Sequence, residues 1–148
     1  DPDQPEPAEP RPFAIDVIDR PRLTAWVAKS SELEAAAAKA AQHQYDLGPI
    51  LDMTRSTPDG RVLRWRLTKK RASVVTVIPL LIDWGGTLHP SVSSPGGATL
   101  VSLSAEDPNP DHVRQVLAAL GLELAVTSGH EPRLVAQLSG PAGRLDLS

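Results

Sequence analysis

Apolar positions along the first half of the chain change period several times, and each change predicts an element. The longest apolar run, Val74-Val75-Thr76-Val77-Ile78-Pro79-Leu80-Leu81-Ile82, closes on Asp83-Trp84-Gly85-Gly86. A continuous, β-branched run of this length predicts a central strand buried on both faces. Residues 61–68 (RVLRWRLT) instead alternate with period two, placing Leu63, Trp65 and Leu67 on one side of a strand and Val62, Arg64 and Arg66 on the other. Upstream, residues 23–28 (LTAWVA) read as a strand stopped by Lys29-Ser30-Ser31. Ser31 is the expected N-cap of an alanine-rich helix over residues 33–43, with Glu32 and Glu34 in the first turn, where the helix dipole favours acids. Pro49 forbids its continuation, residues 45–54 read as extended, and Pro58-Asp59-Gly60 is a turn. The order is strand, helix, strand, strand, strand.

After a Gly/Pro/Ser-rich connection the same order returns. Residues 99–104 (TLVSLS) predict a strand, and residues 107–111 (DPNPD) supply turn and cap chemistry. Residues 112–120 predict a helix stopped by Gly121. Residues 122–127, 133–138 and 144–147 predict three short strands. Pro58-x-Gly60-Arg61 is echoed by Pro141-x-Gly143-Arg144. The repeat of element order predicts an α+β fold of two βαβββ modules, residues 22–86 and 98–148, joined by residues 87–97. Residues 1–21 alternate proline with acids before a short apolar patch, and are expected to be a linker or tail.

Composition narrows the functional classes. The 148 residues hold 41% apolar side chains, 15 prolines and no cysteine, so neither disulfides nor thiolate metal sites enter. A net charge of -3 offers no basic surface for nucleic acid. No apolar stretch approaches the roughly 18–20 residues of a membrane-spanning helix, so a cytoplasmic location is the expectation. The chain opens on Asp1 rather than Met, which suggests a piece of something longer.

Several stretches resemble the vicinal oxygen chelate superfamily, in its glyoxalase-like domain branch. They are Arg22-Leu23, the Ser31-Glu32-Leu33-Glu34-Ala35 helix start, Pro58-Asp59-Gly60 followed by Leu63-x-Trp65-x-Leu67, Pro79-x-x-Ile82-Asp83-Trp84-Gly85 with His89-Pro90, and Leu117-Ala118-Ala119-Leu120-Gly121. The resemblance covers residues 20–148 and is most specific over 79–90. It implies modules whose curved mixed sheets cup a cavity, with helices on the outer face, and a further module upstream of the Pro-rich segment. It also implies a divalent metal as cofactor, held from the first and fourth strands of each module. Those positions fall near Ala25, along residues 99–104, and at Asp83 and Asp146. Only the last two are ligand types, and a catalytic zinc or iron usually takes three protein ligands.

Candidate chemistry gathers around the central strand. Asp83 reads as a metal ligand or general base at the cavity mouth, or alternatively as a strand-end acid that caps a turn or pairs with an arginine. His89 has the ring chemistry of an acid, base or ligand, against the alternative of an ordinary loop histidine. Arg64 and Arg66 would hold a substrate carboxylate or phosphate if Leu63, Trp65 and Leu67 turn toward the helix. Trp84 reads as a rim or packing residue, or as a surface on which substrate stacks. Three functions stay open: a metal-assisted enzyme on a small oxygenated metabolite, a metal-free module that binds or sequesters a small ligand, and a structural or dimerisation domain. Expected partners are a small-molecule ligand and either a second copy of the chain or the upstream module. Nucleic acid and membrane are not expected.

Overall fold

The structure is a computed structural model, and it describes residues 18, 21–57, 59–69 and 76–148. The Pro-rich segment, Pro58 of the expected turn, most of the basic turn after Thr68, and Val74 and Val75 of the apolar run lie outside the described residues. Among the described residues the first half forms strand β1 (Val27–Lys29), helix α1 (Leu33–Gln42) and strands β2 (Ile50–Ser56), β3 (Val62–Thr68) and β4 (Leu80–Asp83). The second half forms β5 (Thr99–Asp107), α2 (Pro110–Ala119), β6 (Ala125–Ser128), β7 (Arg133–Gly140) and β8 (Gly143–Leu147). A 3-10 turn over Pro90–Val92 lies between them. The α+β class and the twofold βαβββ order are therefore present.

Cap chemistry differs between the two helices. α2 starts two residues ahead of the expected His112, within the stretch expected to supply cap chemistry: Asn109 is the N-cap, its side chain accepts from His112 N at 3.3 Å, and Pro110 occupies the first turn. Gly121, at φ +70°, ends it. α1 has Glu32 rather than Ser31 at its N-cap and no side-chain cap bond. The hydroxyl of Ser30 instead accepts from Glu32 N at 3.3 Å.

The first sheet runs β1-β4-β3-β2, with β1 parallel to β4 and the other pairs antiparallel. The second runs β6-β5-β7-β8, so its first strand is interior and pairs in parallel with its second rather than with its fourth. Strand length accounts for the difference. β1 has three residues and one partner, whereas the nine residues of β5 accept β7 along one edge and β6 at the C-terminal end of the other. The Pro-x-Gly-Arg echo accordingly marks different turns, between second and third strands in one half and third and fourth in the other.

One hydrophobic core serves both halves. Leu33 and Ala40 of α1 and Val113, Val116 and Leu117 of α2 join Ala28, Leu81, Ala105, Val126 and Leu134 from the sheets in a single cluster. The helices also touch each other, so the apolar face of each is shared between its sheet and the neighbouring half. The expectation of helices on an outer face captures only part of this, because both helices also carry the joint between the halves. Of the central run, Val77, Ile78, Pro79, Leu80 and Leu81 are buried. Among its described residues only Leu80–Asp83 is strand, since residues 77 and 78 bend and Pro79 has no amide donor.

Candidate functional site

Register and contacts decide which way each face of the first sheet looks. Thr68 is fully buried, and its hydroxyl accepts from Leu81 N at 2.9 Å. Arg66, two residues earlier and on the same side, pairs with Glu34 of α1 and lies 3.9 Å from Asp52. The residues sharing that side (Ala28, Leu81, Asp83, Arg66, Arg64) therefore look toward the helix layer. Leu63, Trp65 and Leu67 look the other way. The premise under which the arginines would line the cup is reversed: α1 begins with acids, and Glu34 draws Arg66 to its side.

The face turned away from α1 is apolar. It carries Leu51 and Met53 from β2, Leu63, Trp65 and Leu67 from β3, and Leu80 and Ile82 from β4. None of these belongs to the main core cluster or packs against it, although Leu80 is only 8% exposed. Trp84 follows β4 directly and stands level with Trp65, with ring centroids 5.3 Å apart. His89 closes the corner edge-on to Trp84 at 5.1 Å. The Trp84 indole nitrogen is buried without a hydrogen-bond partner, whereas the indole of Trp26 donates to Val77 O at 2.7 Å. A buried N–H left unpaired costs free energy.

Other candidate residues make local bonds. Asp83 Oδ1 accepts from Gly85 N at 2.8 Å, and its register partner is Arg66. Both are the arrangements expected of a strand-end acid that caps a turn beside an arginine. His89 caps the 3-10 turn: its Nδ1 accepts from Ser91 N at 3.1 Å and lies 2.7 Å from the Ser91 hydroxyl. An Nδ1 that accepts from a backbone N–H leaves the proton of the neutral ring on Nε2, so His89 presents a donor outward. Arg64 lies exposed on the helix-facing side of β3, and its backbone N donates to Thr87 Oγ1 at 3.4 Å.

Electrostatic pairing is concentrated away from the aromatic corner. The guanidinium of Arg66, through its hydrogen bond, holds the Glu34 carboxyl below its ordinary range, and Glu34 raises Arg66 in return. In the second sheet Arg133 donates to both carboxylate oxygens of Glu106 at 2.8 Å, and this bond raises Arg133. Gln137 donates to Asp146 Oδ1 at 3.1 Å.

The donor set does not fit a divalent metal. Among the described residues no three His, Cys, Asp or Glu side chains converge. Asp83 and Asp146 belong to different sheets, and one oxygen of each already accepts a hydrogen bond. Trp65 is the participant that sequence reasoning did not single out. Its signal was the distance arithmetic of an antiparallel pair, which sets residue 65 against residue 84 once Leu67 faces Ile82.

No curated protein and no solved structure matches the sequence. A family model described as "Glyoxalase-like domain" matches residues 1–121. The match takes in the Pro-rich segment and ends at the glycine that closes α2, so β6, β7 and β8 lie beyond it. Spanning the whole first half together with β5 and α2, it establishes that the chain belongs to the glyoxalase-like domain family.

Proposed function

We propose that this chain is a metal-free binding module of the glyoxalase-like family, which takes a small ligand with a flat apolar body on the first sheet. The observation that carries the reading is the Trp65–Trp84–His89 corner on the face turned away from α1. Two indoles with ring centroids 5.3 Å apart and planes tilted by 38° offer an apolar, polarisable surface. The exposed His89, whose Nδ1 accepts from Ser91 N, has its Nε2–H left to donate to an acceptor atom on the ligand. The metal-assisted alternative has less support, since Asp83 spends an oxygen on Gly85 N and belongs to no group of three or more candidate ligands among the described residues.

Titration with neutral phenylnaphthylamine, read through tryptophan quenching and energy transfer to the probe, tests the reading. The probe should bind saturably to the wild-type chain, and Trp84→Ala should weaken it by tenfold or more while far-UV circular dichroism is unchanged. Trp26→Phe, away from the corner, should not weaken it. Binding that is indifferent to Trp84→Ala would remove the aromatic corner as the site.

A further inference from the structure

The strand residues of the face that carries the aromatic corner include no acid. Its two charged members are Lys29 at the end of β1 and Arg55 near the end of β2. Lys29 is level with Ile82, one same-face step from Trp84. Arg55 is level with Leu63 and diagonal to Trp65. Diagonal neighbours on one face stand roughly 7–8 Å apart, within reach of a long side chain. Both cations are exposed, and neither takes part in an ion pair found among the described residues. The acids of these strands, Asp52 and Asp83, are on the other side with Arg64 and Arg66. The chain is acidic overall at net charge -3, so a face with an apolar centre and only cations at its rim is a local reversal of sign.

Building on the binding reading above, we infer that the ligand class is an amphipathic anion: a flat apolar body carrying a carboxylate or sulfonate-type group. The body lies over Trp65, Trp84 and Ile82, and the charge meets either the Lys29 ammonium on the β1 edge or the Arg55 guanidinium on the β2 edge, at opposite edges of the sheet. Apolar strands between the cations lower the local dielectric, which strengthens the attraction relative to open water. Arg55 adds a planar fork suited to a carboxylate.

A matched probe pair separates this inference from the reading beneath it. Anilinonaphthalene sulfonate and phenylnaphthylamine share an aromatic body and differ in one negative charge. The sulfonate should bind about three- to tenfold tighter at low salt, with the advantage shrinking as salt rises. Lys29→Gln with Arg55→Gln should abolish that advantage and leave the neutral probe where it was, while Arg64→Gln, on the opposite side of β3, should change neither. Equal affinities for the two probes would overturn the anionic class and leave the aromatic site standing. Failure of both probes to bind the wild-type chain would overturn the site and the class together. Displacement of bound probe as the chain self-associates, seen by sedimentation, would give the face to a second copy and overturn the inference.

Discussion

At the scale of single residues, Thr68 shows how one hydroxyl completes a sheet. It is the last residue of β3, fully buried, and it satisfies the amide of Leu81 where a ladder bond would otherwise be needed. Thr68→Val keeps the shape and removes the acceptor, so urea unfolding should show a loss of about 1–3 kcal/mol, the cost of stranding a buried N–H. Glu34 makes a different prediction, because its pair with Arg66 is exposed and depends on pH. The folded-state carboxyl sits below its ordinary value of 4.5. The stability contributed by the pair is therefore present above the unfolded-state value and lost as pH falls through the folded one. A small difference between wild type and Glu34→Gln should be measurable at neutral pH, shrink with salt, and vanish in acid. Gly129 illustrates a steric constraint: a Cβ there would meet Glu106 Cβ at 2.7 Å. Gly129→Ala should lower the melting temperature and disturb the Arg133–Glu106 pair, whereas an unchanged temperature would mean that β5 and β6 separate at little cost.

At the scale of elements, periodicity located β3 and left its sides undetermined, while the first strand, expected over residues 23–28, is Val27–Lys29. Period two in residues 61–68 separates Leu63, Trp65 and Leu67 from Arg64 and Arg66, but two faces of a strand are symmetric in that pattern. What breaks the symmetry is a partner far along the chain, Glu34 on α1, and no local rule brings it to Arg66. Strand order in the second half was hidden for a related reason. The element order of βαβββ is shared by both halves, and the pairing of β5 with β6 depends on how far β5 extends, which the sequence pattern placed three residues short at Ser104. The departure involves the strands that lie beyond the family match. Cap signals fared well where the chemistry is local, as at Pro110 and Gly121. Leu134, fully buried on β7 and part of the common cluster, gives the element-scale test. Leu134→Ala should cost about 2–5 kcal/mol in urea unfolding, as for other large-to-small core changes.

At the scale of the molecule, the family and the α+β architecture were legible because they rest on element order and on short local motifs. The aromatic corner was legible in part: Trp84 and His89 stood out beside the glycines, while Trp65 joined them only through register. The sequence lacks His, Gln or Glu at the implied ligand positions, and one oxygen each of Asp83 and Asp146 is taken up by a hydrogen bond. The contact between α1 and α2, with a core drawn from both sheets, has a kinetic consequence. Neither half can shed its helix layer without exposing apolar side chains of the other, so the two should open together. Native-state amide exchange should find the slowest protons of β4 and of β5 sharing one opening free energy and one denaturant slope. Two distinct slopes would mean instead that the helix contact is a hinge, across which the halves breathe independently.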